Sequence, residues 1–118
     1  MFRLPTTVLI PVILCLSACA EFQSTMEYDR HRMSQLRVDE GDESLYIFEA
    51  KTDATYPANT PEGEAARMEW ITVWLRNKKA CLNGFEIVER RPIPKSEMNP
   101  YRFELRYWLK CKPAPLEE

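Results

Sequence analysis

The chain of 118 residues is poor in the residue types that most catalytic and nucleotide-binding motifs require. It has only three glycines, which are not clustered, so it lacks the glycine-rich loops that bind phosphates and dinucleotides. It has a single histidine, His31. One histidine is too few for a typical zinc site, which needs several ligands, and it offers only one candidate base to activate a nucleophile. Acidic residues are plentiful, but no spacing singles out a catalytic pair. We therefore expect no enzyme, no cofactor and no metal site.

The chain also lacks a strong excess of either charge and a long apolar run. Sixteen basic and eighteen acidic residues give a net charge of −2 without a basic stripe, which argues against a nucleic-acid partner. The longest apolar run, residues 4–16, is shorter than the roughly 20 residues of a spanning helix. It follows the basic Arg3, contains two prolines and ends in small residues. These features are typical of a secretory signal.

The end of this run carries a more specific motif, Leu16-Ser17-Ala18-Cys19. It resembles the lipobox of bacterial lipoproteins, in which a leucine and two small residues precede a cysteine. The resemblance covers only the signal segment. It implies a signal peptide at residues 1–18, cleavage before Cys19, and a diacylglycerol on the Cys19 sulfur. The alternative is an ordinary secretory signal that happens to end in cysteine.

The lipobox resemblance also implies a location and a first partner, which is the membrane that holds the lipid. Aspartate after the lipidated cysteine retains enteric lipoproteins in the inner membrane, whereas Ala20 and Glu21 follow Cys19 here. The resemblance therefore favours the periplasmic face of the outer membrane over the inner membrane. Two or three acyl chains anchor a protein firmly, whereas a single chain binds only marginally.

The four cysteines divide into two pairs with different expected fates. Cys15 leaves with the signal peptide and Cys19 receives the lipid. Cys81 and Cys111 remain as an even pair in an exported chain, and we expect them to form a disulfide.

The mature chain of about 100 residues is long enough for one small domain. We assign residues 19–43 to the lipidated N-terminus and a polar tether, 44–113 to an α+β domain, and 114–118 to a C-terminal tail. The tether region contains apolar residues at helical spacing, so a short amphipathic helix is the alternative there. These residues are Phe22, Met26, Met33 and Leu36.

The domain is predicted to fold as β-α-β-β. Strands are expected at 45–52, 85–90 and 101–111, where β-forming residues dominate and apolar and polar residues alternate in the last stretch. Thr60-Pro61 should start a helix that runs to about residue 79. The last strand is the most regular, so we place it in the centre of a three-stranded antiparallel sheet of order 1-3-2. The helix should cover its odd-numbered face with an apolar surface formed by Met68, Ile71, Trp74 and Leu75, flanked by Trp70.

The disulfide suggests a register for the last two strands. If Cys81 lies opposite Cys111, then Phe85 faces Tyr107 and Ile87 faces Leu105, which places large apolar side chains on one face. The same register puts Glu86 against Arg106, Glu89 against Phe103 and Arg90 against Arg102.

Two groups of residues are candidates for binding. Arg90, Arg91 and Arg102 would form an anion site if they converge, although solvated arginines at the end of a hairpin are the alternative. Trp108 lies on the polar face of the last strand, where an exposed aromatic side chain would mark an interaction surface.

The function that we expect is a non-enzymatic, lipid-anchored binding or assembly module of the cell envelope, facing the periplasm. Its partner would be an envelope protein or the cell wall. The alternative is a sensor of a small anion or ligand that uses the arginine cluster.

Overall fold

The computed structural model describes residues 25–116. The chain divides into two units, Met1–Arg32 and Met33–Glu118. A helix, α1, spans residues 25–33 within the expected tether; it includes Met26 and Met33 of the predicted helical pattern but not Leu36. Ion pairs three residues apart join Arg30 to Glu27 and Arg32 to Asp29. The signal segment 1–18 and Cys19 lie outside the described residues. No helix in the described range is long and apolar enough to cross a membrane.

The second unit is a four-stranded antiparallel sheet with one long helix. Its elements are β1 (Ser34–Val38), β2 (Leu45–Ala50), α2 (Pro61–Asn77), β3 (Phe85–Pro92) and β4 (Leu105–Cys111). The sheet order is β1-β2-β4-β3. The α+β class, the antiparallel sheet and the neighbours of β4 are as predicted. The expectation of three strands is wrong, because β1 adds a fourth strand at the edge beside β2.

The sequence pattern does not predict strand β1, because its five residues fall within the expected polar tether. Leu36 is buried in the core, whereas Gln35 and Arg37 lie opposite Glu49 and Ile47 on the other face of the sheet. The helix also holds the strand, since Trp74 Nε1–H donates to Ser34 Oγ at 2.9 Å. A strand with a single buried apolar residue is therefore stabilised by polar contacts that hydrophobic periodicity does not detect.

Helix α2 begins where its sequence indicates. Thr60 is the N-cap and accepts a hydrogen bond from the Gly63 N–H at 3.1 Å, with Pro61 in the first turn. The helix ends at Asn77, two residues before the predicted end. Ile71 and Leu75 are buried as predicted, but Trp70 is buried in the core whereas Trp74 is only half-buried.

The hairpin of β3 and β4 keeps the predicted disulfide but not the predicted register. Phe85 lies opposite Cys111 and Ile87 opposite Leu109, four positions away from the expected pairing. The reason is that Cys81 is not in the ladder. It has a left-handed φ of 51°, and its carbonyl accepts from the Gly84 N–H at 2.9 Å, so it lies in a turn before β3.

A β-bulge between Ile87 and Glu89 changes the register again. Beyond it Arg90 pairs with Tyr107 and Arg91 with Arg106, so the expected pairs of Glu89 with Phe103 and Arg90 with Arg102 are wrong. One extra residue in a strand turns every later side chain to the opposite face. Arg90 therefore lies on the same face as the buried Tyr107.

Candidate functional site on the open face of the sheet

The two faces of the sheet have different environments. On the inner face, the core joins Phe48, Tyr107 and Leu109 to Trp70 and Ile71 of α2, as expected for the odd-numbered residues of β4. Within residues 33–116, α2 is the only α-helix of the second unit apart from the last residue of α1. The outer face carries two rows of opposed side chains, Gln35–Glu49–Arg106–Arg91 and Arg37–Ile47–Trp108–Glu89. We call it the open face.

Glu49 is the central charge of the open face and is only 5% exposed. It accepts hydrogen bonds from Gln35 at 2.9 Å, from Arg37 at 3.3 Å and from Arg106 at 2.8 and 3.0 Å. Burial by itself raises the pKa of Glu49, but these hydrogen bonds and the charges of both arginines outweigh it, so the pKa lies below its ordinary value. The carboxylate therefore joins β1, β2 and β4 across the open face.

Arg106 connects this cluster to the loop between β3 and β4. Its Nη1 donates to Glu97 Oε1 at 3.0 Å, and its Nη2 also contacts the Glu97 carboxylate. The hydrogen bond from Arg106 holds the pKa of Glu97 below its ordinary value. Arg106 is therefore held in place by two carboxylates, one from the sheet and one from the loop.

Trp108 lies beside this cluster and is half-buried on the open face. The guanidinium carbons of Arg91 and Arg106 lie 5.2 and 5.8 Å from its ring, within the range of cation–π contacts. A cavity of about 390 Å³ opens here and is lined by Trp108, both arginines, Pro92, Pro94 and Glu97. We call it the tryptophan groove. The structure thus places Trp108 on the face where the sequence predicts it, in a concave, partly polar setting.

The three arginines of the predicted anion site do not converge. Arg90 lies on the inner face and donates to the Tyr107 hydroxyl at 3.0 Å, whereas Arg91 lies on the open face and pairs with Glu89 at 2.8 Å. Arg102 is in the loop between β3 and β4 and lines a separate cavity of about 510 Å³. The bulge in β3 is what separates Arg90 from Arg91, and nothing in the sequence pattern marks it.

A polar cluster on the inner face was missed entirely. The Tyr107 hydroxyl accepts hydrogen bonds from Arg67 Nε at 2.8 Å and Arg90 Nε at 3.0 Å, and donates to Glu64 at 2.7 Å. Burial and the hydrogen bond to Glu64 raise the pKa of Tyr107. Arg67 lies one helical turn after Gly63 and one before Ile71, on the buried face of α2. This spacing is the feature of the sequence that indicates a buried Arg67.

This cluster fixes the loop that precedes α2. Arg67 is fully buried, and its guanidinium donates to the carbonyls of Tyr56, Pro57 and Ala58 at 3.0 to 3.4 Å. The loop lies so close to the helix that a Cβ on Gly63 would stand 2.2 Å from the Pro57 carbonyl oxygen. Because Arg67 is enclosed and donates to these carbonyls and to Tyr107, its role in the cluster is structural.

Cys81 and Cys111 form the predicted disulfide, with their Cα atoms 4.8 Å apart. The bridge lies at the end of the sheet where β3 begins and β4 ends. It is therefore far along the strands from the loop that carries Glu97.

Comparisons with other proteins give no relative from which a function can be transferred. No family model, no curated protein and no solved structure matches the chain. Among residues 25–116, no group of three or more histidine, cysteine, aspartate or glutamate side chains is arranged to hold a metal ion.

Proposed function

We propose that this protein is a lipid-anchored, non-enzymatic module of the bacterial envelope that binds a segment of a partner protein on its open face. The lipobox residues Leu16-Ser17-Ala18-Cys19 support the anchor and the location on the periplasmic side of the membrane, with the outer membrane favoured. The arrangement around Trp108 supports the binding role, and it is the single observation on which that role depends.

The tryptophan groove has the composition of a recognition site. Tryptophan and arginine are enriched in protein interfaces and in the few residues that dominate their binding energy. Here one tryptophan and two guanidinium groups lie together beside two prolines. Arg106 is fixed by Glu49 and Glu97, so the wall of the groove is formed before a partner arrives.

Arg91 is the group in the groove that is free to exchange its partner. Its ion pair with Glu89 is exposed on both sides, and such surface pairs contribute only about 0–1 kcal/mol. A carboxylate or backbone carbonyl of an incoming segment can therefore replace Glu89 at little cost while apolar side chains contact Trp108. This chemistry fits an extended protein segment with an acidic residue beside an apolar one.

We expect a photoreactive amino acid at position 89 to crosslink a specific protein in intact envelopes, because Glu89 is exposed opposite Trp108 and its replacement leaves Arg91 free to bind. The same amino acid at position 69 is the matched control, because Glu69 is also an exposed glutamate but lies on α2. Trp108→Ala should lower the crosslink from position 89 at least several-fold without loss of folding, since Trp108 is only half-buried. Gel mobility and mass spectrometry of the adduct provide the measurement.

Two results would contradict the binding role. Equal crosslinking from positions 89 and 69 would mean that the open face has no preferred partner. A Trp108→Ala chain that folds normally and crosslinks as well as the parent would exclude the tryptophan groove as the binding site.

A further inference from the structure

The chain enters the sheet at the same end as the loop between β3 and β4. Ser34, the first residue of β1, lies opposite Ala50, the last residue of β2. The Ala50 carbonyl accepts from the Glu104 N–H at 2.9 Å, just before β4 begins. Residues 93–104, which we call the β3–β4 loop, are therefore at the end where Met33 leads into the sheet, and the turn with Leu82 is at the opposite end.

The β3–β4 loop exposes apolar and basic side chains together. Met98 is 92% exposed and Tyr101 66% exposed. Lys95 and Arg102 are also exposed. Apolar and aromatic side chains interleaved with basic ones suit the interface between lipid headgroups and acyl chains.

Hydrogen bonds and buried side chains hold the loop in one conformation. The Asn99 side chain donates to the Phe103 carbonyl at 2.6 Å and accepts from the Phe103 N–H at 3.1 Å. Ile93 and Phe103 are buried at the base of the loop. Arg102, which directly precedes Phe103, has a left-handed φ of 59°, a conformation that costs energy for a residue other than glycine. Met98 and Tyr101 are thus exposed by a loop with a defined shape.

Basic side chains lie beside the exposed apolar ones of this loop. Glu97 is paired with Arg106, whereas Glu104 and Asp53 keep their charge while they accept from the Thr52 hydroxyl and from the N–H groups of Thr55 and Tyr56. In the described part of the chain no ion pair is found for Lys95 or Arg102. The basic side chains are therefore available to lipid phosphates.

We propose that the β3–β4 loop docks on the anionic lipid surface that holds the anchor, an inference that rests on the proposed lipid at Cys19. Fourteen residues connect Cys19 to Met33, and 25–33 are helical. At about 1.5 Å per helical residue and about 3.5 Å per extended residue, this connection spans at most roughly 35 Å. The connection therefore keeps the start of β1, and with it the loop end of the sheet, within about 35 Å of Cys19.

A depth measurement on the full lipidated chain tests the docking. The chain is reconstituted into phosphatidylcholine vesicles with and without anionic phosphatidylglycerol, with a spin label on Met98→Cys or, as the matched control, on Leu82→Cys. Leu82 is 86% exposed but lies at the opposite end of the sheet. We expect the ratio of oxygen to nickel-chelate accessibility to be at least several-fold higher at position 98, and higher with phosphatidylglycerol than without.

Separate readouts distinguish failure of the docking from failure of the anchor. Flotation with the vesicles and the mass of the N-terminal peptide report the anchor. A chain that floats and carries lipid, but shows equal accessibility ratios at positions 98 and 82, would overturn the docking alone. Position 98 shielded from both reagents would also overturn it, because a protein would then cover the loop. A chain without lipid that does not float would overturn both.

Discussion

Arg67→Ala should destabilise the protein by about 3–5 kcal/mol, an effect typical of breaking a buried ionic network. The guanidinium is fully buried and bonds to the Tyr107 hydroxyl and to three backbone carbonyls of the loop before α2. Its removal leaves those carbonyls without a donor in a place that water does not readily reach. Denaturant unfolding measures the change.

Two other variants show whether the geometry of the group matters. Arg67→Lys keeps the charge, but a single ammonium cannot reach the several acceptors that the planar guanidinium reaches. This variant should therefore recover only part of the lost stability. Arg76→Ala removes an exposed arginine of the same helix and should change the free energy of unfolding by less than about 0.5 kcal/mol. Equal effects of Arg67→Ala and Arg76→Ala would contradict the assigned network.

Loss of the Cys81–Cys111 bridge should lower stability by about 3–4 kcal/mol in the chain-entropy model. The bridge closes a loop with a sequence separation of 30 residues in a small domain. For a domain of this size the loss corresponds to a fall of roughly 12–30 °C in melting temperature. A double Cys81→Ser, Cys111→Ser variant measured by thermal unfolding provides the test.

The sheet itself should survive this change. The pairing of Phe85 with position 111 and of Ile87 with Leu109 does not depend on the bridge, and Tyr107 and Leu109 remain in the core. The far-ultraviolet circular dichroism of the variant should therefore match that of the parent at low temperature. In the unreduced parent, thiol-reactive mass tags on both cysteines would contradict the bridge, and an unchanged melting temperature of the variant would contradict its contribution.

The elements with strong local signals were predictable. Thr60 and Pro61 start α2, because a side-chain acceptor and a missing N–H both suit the first turn of a helix. Leu105, Tyr107 and Leu109 alternate with polar residues and form the buried face of β4. Cys81 and Cys111 were the two cysteines that the lipobox interpretation left unassigned, and they are bridged.

The errors arise where long-range contacts decide the structure. Strand β1 depends on Glu49 and Trp74, which are distant in sequence. The bulge after Ile87 moves Arg90 to the inner face, where Tyr107 and Glu64 bind it. The sequence does not predict a buried Arg67, because a charged residue on a helix is normally exposed. In each case a polar side chain has a partner that sequence periodicity does not reveal.

Measuring whether Cys19 carries lipid tests the proposed function most directly, because the envelope location and the docking of the β3–β4 loop both depend on that lipid. In a bacterial host grown with radioactive palmitate, the parent chain should be labelled and should begin at Cys19 after processing. Cys19→Ser should take no label and should persist as the unprocessed precursor. A Cys19→Ser chain that is still labelled, or a parent chain that is cleaved elsewhere and carries no lipid, would contradict the proposed anchor.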